Sequence, residues 1–261
     1  TVSMSADSVI DASATDNGNG GKVVLWSDVH SAYSVTTVDG IIYAKGGTNG
    51  GDGGQVETSG HQLQLGDLIS VSTKATLGAD GIWLLDPDNL YIKDTSWAGS
   101  NYTGHGTNTF EALSPNSGAP ILADDIYSQD TRGAGFANGV SVLRSGTIND
   151  ALASNNVKVI ASGWIAVQTW ENRPYYQSTA YINSTSNKKL TLEAGDSIYF
   201  YSGKVYVPNA TLELKAGTSI GQDASVGLYA NTLLLDKSNV LGANTYATGP
   251  SVTLTSATNS I

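Results

Sequence analysis

Short apolar runs recur along the first third of the chain, and each is bounded by a cluster of glycine, asparagine or aspartate. The runs occupy residues 23–26, 41–44, 56–58, 69–72 and 82–85. Their valine, isoleucine and aromatic residues favour strands, whereas the residues between them favour tight turns. The runs recur every 13 to 18 residues, which leaves no room for helices between them. This part of the chain is therefore predicted to form strands joined by tight corners.

The second half of the chain contains an internal repeat. Residues 190–198 and 212–220 share leucine, leucine, alanine, glycine, serine and isoleucine at a spacing of 22 positions, and leucine-containing segments follow 21 and 19 positions later. Stacking such repeats places like residues over one another and buries a continuous core. The pattern predicts a solenoid of roughly ten coils, estimated from chain length over repeat length. Residues 198–207 predict a further strand face with outward tyrosines.

Two stretches interrupt this pattern. Residues 94–139 show little apolar–polar alternation but contain several aromatic residues, and residues 164–181 include the most aromatic stretch of the chain. A long loop without structure is uncommon in a compact domain, and the aromatic residues argue against disorder. We expect an irregular insertion at 94–139 and an aromatic protrusion at 164–181. A short helical turn is expected at residues 150–155, before a strand at 157–161.

Composition narrows the class of protein. The 261 residues include 30 glycines and few charged side chains, which disfavours helices and suits a single all-β domain spanning residues 1–261. The formal net charge is −10 with 13 lysines and arginines, so no basic stripe is present to bind nucleic acid. Cysteine is absent, which excludes disulfides and thiolate metal sites. No apolar run approaches the length that a membrane helix needs.

Residues 10–92 also resemble a known family. A glycine-rich lead runs into a strand that ends in Trp26-Ser27-Asp28, and the sequences DGIIYAKGGTNGGDGGQVETSG and GADGIWLLDPDNLYI follow. This combination is similar to the shaft of filamentous-haemagglutinin-type exoproteins, the large passengers of two-partner secretion in Gram-negative bacteria. The sequence INDALASNNVKVIASG at residues 148–163 resembles the segment that follows in that family.

The resemblance implies a right-handed parallel β-helix (β-solenoid) with lateral insertions, displayed outside the outer membrane. It implies adhesion, biofilm contact, host-protein capture or presentation of a toxin, and it implies no active site; we expect no cofactor. The chain is expected to be part of a longer protein, in which a missing upstream segment engages an outer-membrane secretion partner. Open coil ends would permit end-to-end self-association.

Candidate catalytic and metal-binding residues are few. The carboxylates and bases that a polysaccharide-degrading β-helix would need are grouped in two places: Asp86 with Asp88, and Asp124, Asp125 and Asp130 with Arg132. A turn explains the first pair more simply, and a solvated loop explains the second group.

Metal binding is not favoured either. Asp52, between glycine pairs at 50–51 and 53–54, resembles one copy of a calcium-binding nonapeptide, but that motif needs tandem copies, so a glycine corner is the simpler interpretation. His30, His61 and His105 are far apart and have no close His or Cys partner at ligand spacing. We expect no metal site.

Aromatic residues are the preferred candidates for recognition, because surface rings give large contact areas at low entropic cost and also stack on sugars. The five chosen residues are Trp97, Trp164, Trp170, Tyr175 and Tyr176. The alternative is that these rings cover the side of the solenoid where the insertions fold back. Three glycosylation sequons, at Asn101, Asn183 and Asn209, are further candidates, although chance matches are expected in a chain rich in Asn, Ser and Thr.

These observations predict a non-enzymatic secreted or cell-surface adhesin segment. Its expected partner is a host-cell receptor, a glycan or a matrix polysaccharide. Two alternatives stay open: capture of one host protein through the side protrusions, and a polysaccharide-degrading β-helix enzyme. An exposed aromatic protrusion would favour capture, and a groove with carboxylates and a base would favour the enzyme.

Overall fold

The computed structural model describes residues 1–66, 68–93, 140–167, 181–201, 204–222, 227–236 and 245–254. These residues form strands and one short helix, α1 (Ser145–Ala151), so the prediction of an all-β chain is confirmed. In chain order the strands are β1 (Val2–Met4), β2 (Val9–Asp11), β3 (Lys22–Trp26), β4 (Val35–Val38), β5 (Ile41–Tyr43), β6 (Gln55–Gly60), β7 (Gln62–Leu65), β8 (Ser70–Ser72), β9 (Ile82–Pro87), β10 (Asn89–Lys93), β11 (Val140–Arg144), β12 (Asn156–Ala161), β13 (Ile165–Val167), β14 (Tyr181–Asn183), β15 (Lys189–Ala194), β16 (Ser197–Phe200), β17 (Lys204–Ala216), β18 (Ser219–Gln222), β19 (Gly227–Asp236) and β20 (Thr245–Leu254).

The strands form three parallel ladders that the chain visits in turn. The first ladder begins β1–β4–β7 and continues after a break as β11–β10–β13–β16–β18. The second ladder begins β2–β5–β8. Further along the chain it consists of β14 and the N-terminal halves of β17, β19 and β20. We call one visit of the chain to the three ladders a pass. The third ladder runs β3–β6–β9–β12–β15–β17–β19–β20. We call each strand of a ladder a rung.

The predicted repeat is confirmed by the register of the third ladder. Leu190 pairs with Leu212, Leu212 with Leu233, and Leu233 with Val252, at the spacings of 22, 21 and 19 positions seen in the sequence. The third ladder has eight rungs among the described residues, against the ten coils expected. Earlier passes are longer than the repeat, since Lys22 pairs with Gln55 and Gln55 with Ile82.

All five strands expected in the first third of the chain are present, together with four further strands, β1, β2, β4 and β7. The sequences of β4 and β7 are VTTV and QLQL. β7 alternates between polar and apolar residues, whereas β4 has two threonines between two valines. Their inward, fully buried side chains are Thr36, Val38, Leu63 and Leu65. Half of each strand is therefore polar, which hides it from a search for apolar runs.

The inward side chains of the third ladder form buried columns. Leu192, Leu214 and Leu235 stack in register and are fully buried. Lower in the same ladder Trp83 is 2 % exposed, and its indole nitrogen donates a hydrogen bond of 3.1 Å to the hydroxyl of the buried Thr58, one rung away. The one polar atom of the indole is thus satisfied inside the core, as burial requires.

Ladder order departs from chain order at β10 and β11. β11 contacts β7 on one side and pairs with β10 on the other, so the later strand lies between two earlier ones. No backbone ladder joins β7 to β11; instead the Leu63 N–H donates to the Ser141 hydroxyl at 3.0 Å. The predicted insertion at 94–139 connects these two strands and lies outside the described residues.

The second ladder changes at β8, where helix α1 replaces the next strand. The helix packs against β8 and β14, and it begins five residues before the helical turn that was expected at 150–155. Asn155, fully buried after the helix, donates from its side-chain amide to the Val71 and Ala151 carbonyls at 2.9 and 2.8 Å. Its side-chain oxygen accepts from the Thr73 N–H at 2.7 Å. One side-chain amide therefore takes the place of a backbone peptide group above β8.

We predict that Asn155→Asp destabilises the fold by about 2–4 kcal/mol. The change keeps the shape of the side chain but removes the donor to two buried carbonyls, and buried groups left without partners cost about 1–3 kcal/mol each. Urea unfolding followed by circular dichroism measures the effect. Asn183→Asp, at an exposed asparagine, is the matched control and should change stability by about 0.5 kcal/mol or less. Equal stability of the two variants would contradict the role assigned to Asn155.

Candidate functional site

Of the five aromatic residues expected to bind a partner, the structure describes Trp164. The other four, Trp97, Trp170, Tyr175 and Tyr176, lie outside the described residues. Both ends of the predicted protrusion at 164–181 lie in strands, because β13 and β14 occupy residues 165–167 and 181–183, and residues 168–180 lie outside the described residues. All three residues of β13 are buried, and the strand belongs to the first ladder because it pairs with β10 and β16.

Trp164 is anchored at the start of β13. The backbone N–H of Trp164 donates to the Asn89 side-chain oxygen at 3.1 Å, and the backbone carbonyl of Trp164 accepts from the Leu90 N–H at 3.0 Å. Its ring meets the buried Tyr91 ring edge to face, with centroids 4.7 Å apart and planes at 64°. The half-buried indole therefore covers part of the ladder while keeping some of its surface accessible.

Two tyrosines continue this aromatic face on the following rung. Tyr199 lies in β16 and Tyr201 directly after it, with ring centroids 4.3 Å apart and planes at 47°. Tyr201 is 46 % exposed. The Tyr199 ring extends to the next rung, where a Cβ on Gly221 would come within 2.4 Å of two ring carbons. Glycine at that position leaves the ring its space.

These residues share one face of the first ladder. Tyr91, Ala166, Tyr199 and Gly221 follow one another in register from β10 to β18, opposite the buried column that contains Leu90. We define the aromatic surface as Tyr91, Trp164, Tyr199 and Tyr201 with the neighbouring Ser197 and Ser219. The described side chains that β13, β16 and β18 present on this face carry no formal charge, whereas the buried Arg144 of β11 lies on the same face, in register with Lys93.

The outward face of the third ladder has a different chemistry. Lys158 pairs with Glu193 at 2.9 Å, and Lys189 pairs with Glu213 at 2.8 Å, in each case across neighbouring rungs. Burial is the largest single influence on Glu213 and acts to raise its pKa. Hydrogen bonds from Lys189 and Thr191, with the charges of Lys189 and Lys215, together outweigh it and lower the pKa. These four charges are matched within the protein, as they are on an ordinary solvated surface.

A second aromatic group lies on the second ladder. Tyr206 and Tyr229 stack in register with ring centroids 5.7 Å apart, and the Lys204 ammonium lies 4.6 and 4.9 Å from the two centroids. The lysine thereby makes cation–π contacts with both rings. The cation over these two rings therefore comes from the chain itself.

Both long interruptions of the sequence begin next to the aromatic surface. The described chain leaves β10 at Lys93 and β13 at Val167, and Ile92 pairs with Val167 in the register of these two neighbouring rungs. Segments 94–139 and 168–180 therefore start at the same end of adjacent parallel strands. Their attachment points are far apart along the chain, and the register of β10 with β13 brings them side by side.

Two of the three sequons are described, and they lie on neighbouring passes. Asn183 and Asn209 are both exposed. The Asn209 side-chain amide donates to the carbonyl of Thr185, the hydroxyl residue of the other sequon, at 2.8 Å. Asn101 lies outside the described residues, and glycosylation of all three stays a prediction.

The carboxylates of the β9–β10 corner have separate surroundings. Asp86 lies on the outward face of the third ladder, where burial, and then the charge of Glu57, raise its pKa to about 6. Asp88 accepts hydrogen bonds from Ser162 and from Asn89, and lies 3.8 Å from the ring of His61. Asp88 thus links neighbouring passes at a turn. The group at 124–132 lies outside the described residues.

Asp52 and the histidines also have structural surroundings. The Asp52 carboxylate accepts the Ala79 N–H at 2.8 Å, and the Gly50 and Gly51 φ values of 152° and 117° place this segment in a corner. His61 is buried and contacts the Val29 carbonyl at 2.9 Å, while His105 lies outside the described residues. Among the described residues no three His, Asp or Glu side chains are grouped to hold a metal ion. The helix among them is neither long nor apolar enough to cross a membrane.

A shallow groove of about 650 Å³ runs along the corner between the second and third ladders. Its floor is glycine, and a Cβ on Gly53 or Gly81 would come within 1.7 or 1.9 Å of a backbone carbonyl oxygen on the neighbouring pass. These glycines are needed for close stacking of backbones. The groove is thus explained by the fold itself, and the aromatic surface is the stronger candidate site.

Comparison with known proteins adds no relative. No family model matches the chain, and no curated protein matches it significantly. The resemblance to filamentous-haemagglutinin-type exoproteins stays a prediction from the sequence.

We predict that Asp86→Asn stabilises the protein at neutral pH. The pKa of Asp86 is raised from 3.8 to about 6 in the folded state, so between these values the folded chain holds more protons than the unfolded chain and loses stability as pH rises. The gain should be on the order of 1–2 kcal/mol at pH 7.5, less than full linkage because water partly screens the carboxyl, and should vanish near pH 4.

Thermal unfolding of both proteins at several pH values between 4 and 7.5 tests this. Asp7→Asn, at an exposed aspartate, is the control and should show no such pH-dependent gain. A stability difference that stays constant with pH would exclude the assigned titration of Asp86.

Proposed function

We propose that the chain is a right-handed parallel β-helix with lateral insertions that acts as a non-enzymatic adhesin segment. Parallel pairing, the recurring order of the three ladders and like residues in register support the β-helix. Right-handed connections between parallel strands are favoured by strand twist, which supports the handedness. The insertions would leave the helix at residues 93 and 167.

We propose membership of the filamentous-haemagglutinin-type exoproteins and a location on the exterior of a Gram-negative outer membrane. Support comes from the family-like sequence at residues 10–92, which supplies rungs from β2 to β10 in an unbroken series. A long, regular stack with few catalytic side chains suits a protein that holds a contact surface away from the cell. In this proposal an outer-membrane secretion partner exports the protein.

The observation that carries the adhesive function is the aromatic surface. It combines an exposed tyrosine with a half-buried tryptophan, whereas ion pairs lie on the outward face of the third ladder. Aromatic side chains that pack against the protein on one side and are exposed to solvent on the other are typical anchors of protein contacts. Adhesion through this surface needs no catalytic group, and the structural surroundings of Asp88 and His61 agree with a non-enzymatic role.

A second candidate function is capture of one host protein. It is favoured by the common origin of the two aromatic-containing segments at Ile92 and Val167, which pair in register. Segments that start side by side can present one combined surface to a single partner. Both functions use the same side of the protein, and they differ in whether the aromatic surface or the segments provide the contacts.

We predict that the double variant Trp164→Ala, Tyr201→Ala binds epithelial-cell monolayers and Gram-negative biofilm at least tenfold more weakly than the parent chain. The loss corresponds to about 1.4 kcal/mol, within the range for removal of aromatic contacts. Retention of fluorescently labelled protein measures binding, and circular dichroism verifies the fold.

The matched control is Tyr206→Ala, Tyr229→Ala, which removes two rings from the second ladder. It should bind like the parent chain. Equal loss in both double variants would contradict adhesion through the aromatic surface, as would undiminished binding of the Trp164 and Tyr201 variant.

A further inference from the structure

We infer that Asn49 is a site of spontaneous covalent modification, at which the backbone nitrogen of Gly50 converts the asparagine into aspartate and isoaspartate. In such an Asn-Gly pair the glycine nitrogen gives up its proton and attacks the side-chain Cγ of the asparagine. The C–N bond of the carboxamide then breaks, and its nitrogen takes up a proton and leaves as ammonia. The cyclic imide that forms adds one water molecule, which opens it at either carbonyl. Water is therefore the one co-reactant, and the inference is independent of the proposed adhesive function.

Three Asn-Gly pairs lie among the described residues, and all three asparagines are exposed. The pairs are Asn17-Gly18, Asn19-Gly20 and Asn49-Gly50. Glycine is the most reactive following residue, because it has no side chain to hinder the attack of its nitrogen. All three pairs meet this condition, so any difference in reactivity between them must come from the fold.

The nitrogen of Gly50 is the least protected of the three nucleophiles. A backbone N–H must be released from its hydrogen bond before it loses its proton, as in amide hydrogen exchange. The Gly18 N–H donates to the carbonyl of Gly50 on the neighbouring pass at 2.8 Å, and the Gly20 N–H donates to that of Asp52 at the same distance. The Gly50 N–H donates to the Gly47 carbonyl at 3.4 Å, which is longer than the usual N–H···O bond.

The hydrogen bond of the Gly50 N–H also opens without separating two passes. Residues 47–50 form one tight turn, and this bond closes it locally. The bonds from Gly18 and Gly20 instead join neighbouring passes, so each opens only where the stack opens. The Asn19 side chain is fixed as well, because its oxygen accepts the Asp52 N–H at 2.8 Å. The fold thus protects the first two pairs and leaves Asn49 reactive.

Asp16 determines what the modification does to this corner. The Asn49 carboxamide donates to the Asp16 carboxylate at the exposed surface, where water can replace the bond, and the Asn49 N–H donates to the Asp16 carbonyl at 2.9 Å. Conversion replaces the carboxamide donor by a second carboxylate, so two like charges face one another. Isoaspartate also adds a methylene group to the backbone before Gly50, whose carbonyl accepts from Gly18. The modification should therefore loosen the contact between these two passes.

Peptide mapping by mass spectrometry tests the inference on the full chain after incubation in mildly alkaline buffer at body temperature, with isoaspartate detected by methyltransferase labelling. In the folded chain we expect Asn49 to convert at least about fivefold faster than Asn17 and Asn19, because its nucleophile is less protected. In urea, where the backbone hydrogen bonds are lost, the three rates should agree within about twofold. Asn49→Gln is the matched control: it keeps the carboxamide but must close a larger ring, so labelling at this position should fall to background.

Three results would overturn the inference. The first is conversion of Asn17 or Asn19 in the folded chain at a rate equal to or above that of Asn49. The second is an unchanged Asn49 in the folded chain after a time in which the chain in urea has converted. The third is an equal advantage of Asn49 in the folded chain and in urea, because the local sequence rather than the fold would then select it.

Discussion

Strands in this protein find their hydrogen-bond partners on neighbouring passes of the chain, and every other feature adapts to that constraint. A backbone group that is buried without a partner is costly, so each pass must present its donors and acceptors in register with the next. Side chains are then forced to stack as like over like, which places Leu190, Leu212 and Leu233 in one buried column. The corner glycines follow from the same constraint, because backbones approach too closely there for a Cβ.

Asn155 shows what happens where the constraint is not met by a strand. Helix α1 offers no free edge to β8, yet the Val71 carbonyl and the Thr73 N–H of that pass still need partners. A primary amide carries a donor and an acceptor in nearly the geometry of a peptide group, so one side chain satisfies both. Ser141 provides a smaller version of this solution at Leu63 in the first ladder. Polar side chains thus supply the hydrogen bonds that backbone groups would otherwise lack where regular stacking is interrupted.

Much of the fold was predictable, because strands that stack in register require apolar residues at repeated positions in the sequence. The leucine repeat predicted the register of the last four rungs of the third ladder, and glycine-bounded runs predicted β3, β5, β6, β8 and β9. Asn155 was not recognised, since a buried asparagine that replaces a strand resembles an ordinary turn residue in sequence. The site was only partly predictable. Trp164 was selected as an aromatic, but its support by Tyr91 and its proximity to Tyr199 arise from register between distant segments.

The position of β10 and β11 has a consequence for the order of assembly. Residues up to β9 can complete three passes of the third ladder from chain that is already present. In the first ladder, β10 is separated from β7 by β11, which comes after residue 139 in the chain. Growth of the first ladder past β7 therefore waits for β11, and contacts between strands that are far apart in sequence form slowly. Stacking of the second half is therefore separated from the first by one slow, non-local step.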